Sequence, residues 1–369
     1  MIEASRQASL RGRNLRLVLA TVLATQAPPS RATVAAATGL TRSTVSRLAD
    51  ELVAGGLLDE LERSPGAGRG RPGTPLVAGS GVGALGLQVN PGLLAARVVD
   101  LRGRVVAEEL VVDDLTGSES VETLLRIGSL GRAVIRAAPS EVRLVGCGLA
   151  VPGIVAAQDG RVLSAPNLGW SDVAVRRLLP RRRLGGLDLQ VANEAELAAR
   201  TVAETAPGRP GPFSHFFYVS GEVGIGGAAV VDGRVFGGRD GWAGEVGHVT
   251  VEAEGPPCPC GSRGCLEQYA GQRATGRDVE RAGWALGVAL ADVVNLLDIP
   301  TIVLGGHLAR EADALRPSLV RELDLRVLSS RWRAPSVQVA DDDPAAGATG
   351  AAYQALDGVL QRPHDWLAG

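Results

Sequence analysis

The first fifty residues alternate apolar and polar positions with the spacing of helices. Apolar residues three and four positions apart predict a first helix: Leu15, Val18, Leu19, Val22 and Leu23. A second helix is expected over residues 31–37, where Ser30 can cap its start and Gly39 permits the turn that follows. Thr41 can cap a third helix. Its apolar stripe comprises Val45, Leu48, Ala49, Leu52 and Val53.

Helix, short glycine turn and a helix that begins with Arg, Ser and Thr form the pattern of a helix-turn-helix DNA reader. Gly55 and Gly56 would end the third helix, and residues 57–59 with the loop beyond them are expected to form a wing. Arginines at the end of that loop could enter a minor groove. The predicted DNA contacts are Arg31, Thr41, Arg42, Ser43, Thr44, Ser46, Arg47, Arg69 and Arg71.

The local charge agrees with this interpretation. Residues 1–75 carry ten Arg against six Asp and Glu, whereas the whole chain has a net charge of −2. That overall charge argues against a protein that coats nucleic acid or a membrane wholesale. The alternative to double-stranded DNA as the partner is a small helical bundle with a solvated polar face.

The pattern changes after residue 75. Residues 64–75 are rich in Gly, Pro and Arg, cannot pack a core and indicate a linker. Beyond them, apolar strands alternate with Gly turns and amphipathic helices, which is typical of an α/β fold. Predicted strands include Ala84–Val89, Ala95–Asp100, Arg143–Ala150, His215–Val219 and Thr301–Leu304.

Targeting signals are not evident in the sequence. No apolar run approaches the roughly 18 residues that a membrane span needs. The Arg-containing N-terminus lacks an apolar segment followed by a cleavage site. We therefore expect a cytoplasmic protein without membrane contact.

Three of the four cysteines are clustered and predict a metal site. Cys258, Cys260 and Cys265 lie within eight residues, and His248 precedes them. Three thiolates and one imidazole make a closed tetrahedral site for a structural Zn²⁺, with no position left for an activated water. The alternative is three cysteines that are merely buried. The isolated Cys147, like His215, His307 and His364, receives no functional role.

Two runs carry a family resemblance: Glu-Val-Gly-His at 245–248, and Cys-Pro-Cys-Gly-Ser-Arg-Gly-Cys-Leu-Glu at 258–267. They resemble the ROK family of repressors, open reading frames and sugar kinases. The helix-turn-helix resembles that of the family's xylose, glucose and N-acetylglucosamine repressor branch. The resemblance implies an actin/hexokinase-like fold of two α/β lobes behind a winged helix-turn-helix, with a sugar or sugar derivative bound in the cleft between the lobes.

The resulting domain division has four parts and a returning helix. We expect residues 1–63 to form the winged helix-turn-helix, 64–80 the linker, 81–190 the first lobe and 191–344 the second, which carries the zinc loop. A C-terminal helix over about 345–369 is expected to return to the first lobe.

The resemblance also implies which residues contact a sugar: Asn167, Asn193, Glu194, Glu245, His248 and Glu267. Carboxylates and amides offer the acceptors and donors that hydroxyl groups need. His248 could bind the metal through one ring nitrogen and donate to a sugar hydroxyl from the other.

The apparatus for phosphoryl transfer looks degraded. Residues 88–92 read Gln-Val-Asn-Pro-Gly where family kinases have Asp-x-Gly-Gly-Thr, and Pro91 removes a backbone donor. Glu222 would place a negative charge where a phosphate belongs. Glu194 replaces the catalytic Asp of the family. We therefore expect no kinase activity.

These observations favour a sugar-controlled transcriptional regulator, by resemblance a repressor, that binds a pseudo-palindromic operator as a homodimer or homotetramer. An active sugar kinase with an attached DNA-binding domain is one alternative. A regulator that answers to a protein partner is another.

Overall fold

The computed structural model describes residues 2–61 and 74–367, and side chains from Leu10 onward. The front part is three helices and a two-stranded sheet. The elements are α1 (Ile2–Ala24), α2 (Arg31–Thr38), α3 (Arg42–Ala54), β1 (Leu58–Glu60) and β2 (Leu76–Ala78). β1 and β2 pair in antiparallel fashion. The three predicted helices are confirmed, and the two strands form the wing.

The first lobe follows directly. Its elements are β3 (Val82–Asn90), β4 (Leu93–Asp100), β5 (Val105–Val112), α4 (Ser120–Ala137), β6 (Arg143–Val151), β7 (Ile154–Val155), β8 (Val162–Ala165), β9 (Trp170–Val173), α5 (Val175–Leu178) and β10 (Leu189–Asn193). The main sheet has the order β10-β6-β3-β4-β5. Its three parallel strands are β3, β6 and β10, and β4 and β5 add antiparallel.

The second lobe repeats this arrangement. It begins with α6 (Glu194–Ala203), β11 (Glu204–Ala206), β12 (Arg209–Pro210), β13 (Phe216–Gly221), β14 (Ile225–Val231) and β15 (Arg234–Phe236). It continues with α7 (Glu267–Ala270), α8 (Gln272–Thr275), α9 (Val279–Leu297), β16 (Thr301–Gly305), α10 (Gly306–Arg310), α11 (Ala312–Arg326) and β17 (Ser336–Val339). The sheet order is β15-β14-β13-β16-β17. The five strands predicted from the sequence are all present in the two sheets.

The last helices are α12 (Ala346–Gln361) and α13 (His364–Leu367). α12 packs against β3 and β6 of the first lobe and against α6. Glycine allows this close approach, because a Cβ atom at Gly86 would lie 1.8 Å from the carbonyl oxygen of Ala348. A Cβ atom at Gly148 would likewise lie 2.1 Å from that of Ala351.

The winged domain and the first lobe share one hydrophobic core. Leu19 and Leu23 of α1 lie in the same buried cluster as Leu356 and Val359 of α12. The cluster extends to Leu101, after β4. The front domain is therefore packed onto the body of the protein rather than only tethered to it.

Two predicted boundaries differ from the structure. The predicted linker 64–80 ends too late, because Leu76 and Ala78 are buried in the wing strand β2. The predicted lobe boundary at 190 cuts β10, which runs to Asn193 because its last residues pair with β6. Arg69 and Arg71 lie outside the described residues. Within the described part of the chain, no helix is both long enough and apolar enough to cross a membrane.

Candidate functional site

A cleft between the two lobes brings the predicted sugar contacts together. The side chains that line it include all six: Asn167, Asn193, Glu194, Glu245, His248 and Glu267. β3 contributes Gln88 and Asn90 from the first lobe, and the turn after β13 contributes Glu222 from the second. The start of α12 adds Ala346 and Gly347 to the lining.

Glu267 and Asn167 meet across the cleft. Asn167 Nδ2 lies 3.4 Å from Glu267 Oε2, and the same oxygen accepts a hydrogen bond from the backbone N–H of Ile225 at 3.2 Å. A Cβ atom at Gly224 would lie 2.3 Å from Asn167 Nδ2 and 2.5 Å from Glu267 Oε2, so a larger residue here would push both side chains out of this arrangement. The Gly-rich turn after β13 thus positions two of the predicted sugar contacts.

Asn193 has a structural duty as well as a place in the cleft. Its Oδ1 accepts from the backbone N–H of Ala195 at 2.7 Å and caps α6. Its Nδ2 donates to the carbonyl oxygen of Gly153 at 2.9 Å. Both polar atoms of the side chain already form hydrogen bonds. The role of Asn193 as a sugar contact stays a prediction, and it would use the hydrogen-bonding capacity that these bonds leave.

Glu194 is clamped by the altered hairpin. Gln88 Nε2 and Asn90 Nδ2 both donate to Glu194 Oε1, at 2.8 and 2.9 Å. Burial raises the pKa of Glu194 to about 7, aided by the negative charge of Glu222, while the two amides oppose the rise. Gln88 and Asn90 of β3 therefore hold the carboxyl group of Glu194 in place.

Gln88 also reaches the final helix. Its Nε2 donates to the carbonyl oxygen of Pro344 at 3.0 Å, and its Oε1 accepts from the N–H of Ala348 at 2.9 Å. Gln88 is only 2% exposed. One buried amide thus joins the cleft carboxyl of Glu194 to the first turn of α12.

The charge expected at Glu222 is partly compensated. Arg310 donates to Glu222 Oε2 at 3.2 Å and to Asp342 Oδ1 at 3.1 Å. One guanidinium therefore serves two carboxylates, and the group of three keeps a net negative charge. The sequence interpretation missed this contact because Arg310 lies 88 residues from Glu222.

Glu245, one of the predicted sugar contacts, has a second carboxyl group, that of Glu196, close by. Burial raises the pKa of Glu245, with a further rise from Glu267 and a lowering by His248. Burial and the neighbouring Glu245 raise the pKa of Glu196 to about 7. Glu196 was not singled out from the sequence, since only the fold places it beside Glu245.

The predicted metal ligands converge. One ligand atom from each of His248, Cys258, Cys260 and Cys265 lies within 4.8 Å of the others. The sulfurs of Cys260 and Cys265 are 3.7 Å apart, and His248 Nδ1 is 3.8 Å from the sulfur of Cys258. Ligands about 2.3 Å from a tetrahedral ion are separated by about 3.8 Å. The residues therefore fit a four-coordinate metal ion.

The loop around the cluster is tightly built and braced. Gly264 has a φ of +64°, and a Cβ atom there would lie 1.7 Å from the carbonyl oxygen of Glu252. The Glu252 carboxylate accepts a hydrogen bond from Tyr269 at 2.8 Å and pairs with Arg281 of α9. The Arg281 guanidinium also lies 4.0 Å from the ring centre of Trp284. The metal-type loop is thereby anchored to α9.

The helix-turn-helix has the predicted caps. Ser30 accepts from the N–H of Thr33, and Thr41 accepts from the N–H of Thr44. Gly39 has a φ of +70°, the left-handed conformation that the turn requires. Arg42, at the start of α3, is exposed. Of the other predicted contacts, Thr41, Ser43 and Arg47 are exposed, and Thr44 and Ser46 are half-buried.

Arg31 is engaged inside the winged domain. Its guanidinium lies 2.6 Å from Asp50 of α3 and 2.7 Å from Glu60 of β1. These ion pairs hold α2, α3 and the wing together. A DNA-contact role for Arg31 therefore competes with two carboxylates of its own domain, which sequence spacing alone did not reveal.

Comparisons with known proteins place the chain in a family. The ROK family pattern matches residues 92–284 and 277–357. The chain belongs to the ROK family. The MarR family pattern matches residues 17–70, which include the end of α1, the helices α2 and α3, and the first wing strand β1. The recognition made from the two sequence runs is confirmed.

Several curated relatives are repressors. The chain is 33% identical to the xylose repressor of Caldicellulosiruptor bescii over 264 residues, which are 71% of this chain and 64% of that protein. The chain therefore matches less than two thirds of that relative's length. It is 25% identical to the xylose repressor of Bacillus subtilis, with 86% of this chain and 88% of that protein covered.

Solved structures agree with the fold. A ROK family transcriptional regulator, described as a homologue of the E. coli MLC protein, superposes with a TM-score of 0.76 at 22% identity. That match covers 98% of this chain and 100% of the other. A ROK family glucokinase from Streptomyces griseus, in complex with glucose and AMPPNP, superposes with a TM-score of 0.62 at 25% identity. It covers 75% of this chain and 100% of the other.

Proposed function

We propose that this ROK protein is a DNA-binding repressor whose hold on its operator is controlled by a sugar in the interlobe cleft. The observation that carries the proposal is the shared core. Helix α1 of the winged helix-turn-helix domain lies in one hydrophobic cluster with α12. The first turn of α12 in turn lines the cleft. Packed side chains therefore connect the cleft, where the sugar would bind, to the domain that would bind DNA.

The cleft suits a neutral sugar. Its lining includes five carboxyl side chains: Glu194, Glu222, Glu245, Glu267 and Asp343. None of the described residues that line it is an arginine, and the chain contains no lysine. A phosphorylated sugar would meet repulsion from these carboxylates, whereas hydroxyl groups can donate to them. The xylose repressors among the relatives favour xylose as a first compound to test.

Two helices connect the cleft to the DNA-binding domain. α6 begins at Glu194 and α12 begins beside Gln88, so both start at the cleft. Arg200 of α6 pairs with Asp357 of α12 at 2.6 Å, which couples them further along. A sugar hydroxyl that takes over the bonds of Glu194 would release Gln88 and shift α12 against α1. The ligand then favours one of two lobe arrangements, as population shift requires.

Phosphoryl transfer is not part of this proposal. Glu222, Asp342 and Arg310 together keep a net negative charge, which would repel a nucleotide phosphate placed beside them. Sugar-dependent ATP consumption at about 1 s⁻¹ or faster by the purified protein would contradict this part of the proposal.

The His/Cys cluster is proposed to hold a structural Zn²⁺. The four ligands complete a tetrahedral shell, so the ion would organise the loop and supply no reactive water. His248 would bind through Nδ1, which faces the cysteines, and this leaves Nε2 for the sugar side of the cleft. The loop also carries Glu267 into the cleft, so the ion would shape the ligand site.

The experiment begins with selection of a duplex from a random library by the full-length protein. Fluorescence anisotropy then measures operator affinity with xylose, glucose, glucose 6-phosphate or no additive. We expect one neutral sugar to weaken binding at least about tenfold, which corresponds to a coupling of about 1.4 kcal/mol, and the phosphate ester to have no effect. Failure to select any duplex would refute DNA reading. A selected operator that responds to no neutral sugar would refute sugar control and favour a protein partner.

A further inference from the structure

A second cavity lies where the winged domain meets the body of the protein. Its volume is about 780 Å³, within the range of about 300–1,000 Å³ that small-molecule sites occupy. Its walls come from α1 of the winged domain, from the β11–β12 and β14–β15 hairpins of the second lobe, and from the helices α6 and α12. Among the described residues, none lines both this junction cavity and the sugar cleft.

One stripe of α1 forms the wall that belongs to the winged domain. Arg16, Leu19, Ala20 and Leu23 line the cavity, and their spacing of three, four and seven residues places them on one face of the helix. Leu19 and Leu23 are buried, whereas Arg16 and Ala20 are exposed. This wall therefore has an apolar base and a cationic rim.

The facing wall belongs to the second lobe and to α12. Phe213, Val235 and Leu360 line it and are half-buried. The β11–β12 turn packs against α1 here, because a Cβ atom at Gly208 would lie 3.3 Å from Leu23 Cδ1 and 3.4 Å from Leu360 Cδ1. Apolar surface on both walls favours a ligand with an apolar body.

The carboxylates of the cavity already have partners. Glu204 and Asp357 share the guanidinium of Arg200, at 3.2 and 2.6 Å. Glu204 also accepts a hydrogen bond from the backbone N–H of Gly208 at 3.1 Å. Asp232 Oδ1 lies 3.2 Å from a ring nitrogen of the neighbouring histidine at position 215. These acidic groups are thus engaged within the protein itself.

Two arginines of the cavity differ from the carboxylates in this respect. Arg16 on α1 and Arg234 on β15 are exposed, and neither forms an ion pair within residues 2–61 and 74–367. Each guanidinium has five N–H donors and no acceptor. The unused capacity of the cavity is therefore for a negatively charged group, which guanidinium groups bind through charge-assisted hydrogen bonds.

We propose that the junction cavity binds a small organic anion with an apolar body, and that its occupancy changes operator affinity. The apolar walls hold the body, and Arg16 and Arg234 hold the anionic group. Such a ligand contacts the winged domain and the second lobe at once, so it favours the arrangement of the two that forms both walls. Binding goes beyond the proposed function, whereas the effect on the operator rests on that function.

Calorimetric titration of the full-length protein without DNA tests binding, with decanoate and 2-naphthoate as the probes. We expect at least one of them to bind once per chain with a Kd below about 1 mM. Comparison of the two shows whether the cavity takes an aliphatic or an aromatic body. Decylamine has the opposite charge and glucose 6-phosphate lacks an apolar body, so both should bind at least about tenfold more weakly.

Two variants locate the site. Arg234→Glu reverses the charge on one wall, and Ala20→Trp fills the space in front of the other; both residues are exposed, so the fold should tolerate these changes. We expect each variant to raise the Kd of the bound carboxylate about tenfold or more. Arg239→Glu is the matched control and should leave the Kd unchanged, since Arg239 is 94% exposed on the second lobe and lies outside the cavity. Thermal unfolding checks every variant, and Arg234→Glu decides should Ala20→Trp unfold.

Fluorescence anisotropy with the selected operator measures the effect on DNA binding. We expect a saturating carboxylate to change the operator Kd about threefold or more in the wild type and not in Arg234→Glu. Failure of both carboxylates to bind, or equal binding by the wild type and the folded variants, would overturn the site. Binding that leaves operator affinity unchanged would overturn its regulatory effect. Failure to select any duplex would refute the proposed function, and the regulatory effect with it, while calorimetry still decides whether the anion binds.

Discussion

At the scale of single residues, charge placement separates DNA contacts from structural ion pairs. Arg42 is exposed at the start of α3 and makes no ion pair among the described residues, whereas Arg31 bridges Asp50 and Glu60. The two arginines were equal candidates in the sequence. Because their surroundings differ, we expect replacement of Arg42 to affect DNA binding and replacement of Arg31 to affect stability.

Arg42→Ala is expected to weaken operator binding about tenfold and leave sugar binding unchanged, since a charged contact to DNA is worth about 1–3 kcal/mol. Arg31→Ala is the matched comparison. It should lower the unfolding temperature slightly, because the exposed carboxylates of Asp50 and Glu60 lose the ion-pair partner that joins α3 and the wing to α2. Anisotropy and thermal unfolding on both variants test the distinction, which fails if Arg42→Ala binds DNA like the wild type.

The buried carboxyl of Glu194 predicts a pH dependence of stability. Its pKa of about 7 lies above the ordinary 4.5, so the folded state holds the proton more tightly than the unfolded chain. The stabilisation that the protonated Glu194 carboxyl gives the folded state is therefore complete below about pH 4.5 and is lost as the pH rises through 7. The loss at pH 8 is at most about 3 kcal/mol.

Glu194→Gln should remove that loss, because a neutral amide replaces the carboxyl and its oxygen still accepts from Gln88 and Asn90. Urea unfolding at pH 5.5 and pH 8 measures the difference. We expect the stability gain of the variant over the wild type to be larger at pH 8 than at pH 5.5, where only part of the loss has occurred. An equal gain at both values would contradict the assignment.

Loss of one metal ligand tests the cluster. Cys260→Ser should lower bound zinc from one per chain and abolish any sugar response, because the loop that carries Glu267 loses its organising ion. Elemental analysis and calorimetric sugar titration are the readouts. Cys147→Ser is the control for cysteine loss. Cys147 lies in the sheet of the first lobe, so this variant should still bind the metal. Unaltered zinc content in Cys260→Ser would disprove the ligand assignment.

At the scale of elements, α6 and α12 matter most because they connect the cleft to α1. A Cβ atom at Gly350 of α12 would lie 1.8 Å from the carbonyl oxygen of Leu197 in α6. At Gly358 of the same helix, a Cβ atom would meet no heavy atom of the described residues within 4 Å. One helix thus offers two glycines with opposite surroundings.

Gly350→Ala should force the helices apart, destabilise the protein by about 2 kcal/mol or more and reduce the effect of the sugar on operator affinity. Gly358→Ala should instead stabilise α12 by about 0.5–1 kcal/mol, because alanine is the better helix former. Chemical unfolding and anisotropy compare the pair. Equal stability in the two variants would mean that α12 and α6 are not in close contact.

Elements with local signals were predictable from the sequence. The caps Ser30 and Thr41 and the apolar spacing of α3 were recognised because each depends on neighbours within a few residues. The wing strand β2 was missed, since three residues in a Gly- and Pro-rich stretch form a strand only when β1 lies beside them. The Gln88 clamp was missed for the same reason: its partner Glu194 is 106 residues away.

At the scale of the whole molecule, sugar and operator must affect each other equally. If the sugar weakens operator binding tenfold, bound operator must weaken sugar binding tenfold, because both effects are the same coupling free energy. Calorimetric titration of sugar into the free protein and into the operator complex measures this. Equal sugar affinity in both titrations would show that cleft and reading head do not communicate.

The hydrophobic cluster that joins Leu19 to Leu356 has a consequence for how this chain can be altered. A DNA-binding domain grafted from another regulator would lack the apolar surface that packs against α12. Leu356 and Val359 of α12 would then be exposed to water. Changing which operator the protein recognises is thus a matter of substituting exposed positions on α3, while exchange of the whole front domain would destabilise the protein by exposing this part of α12.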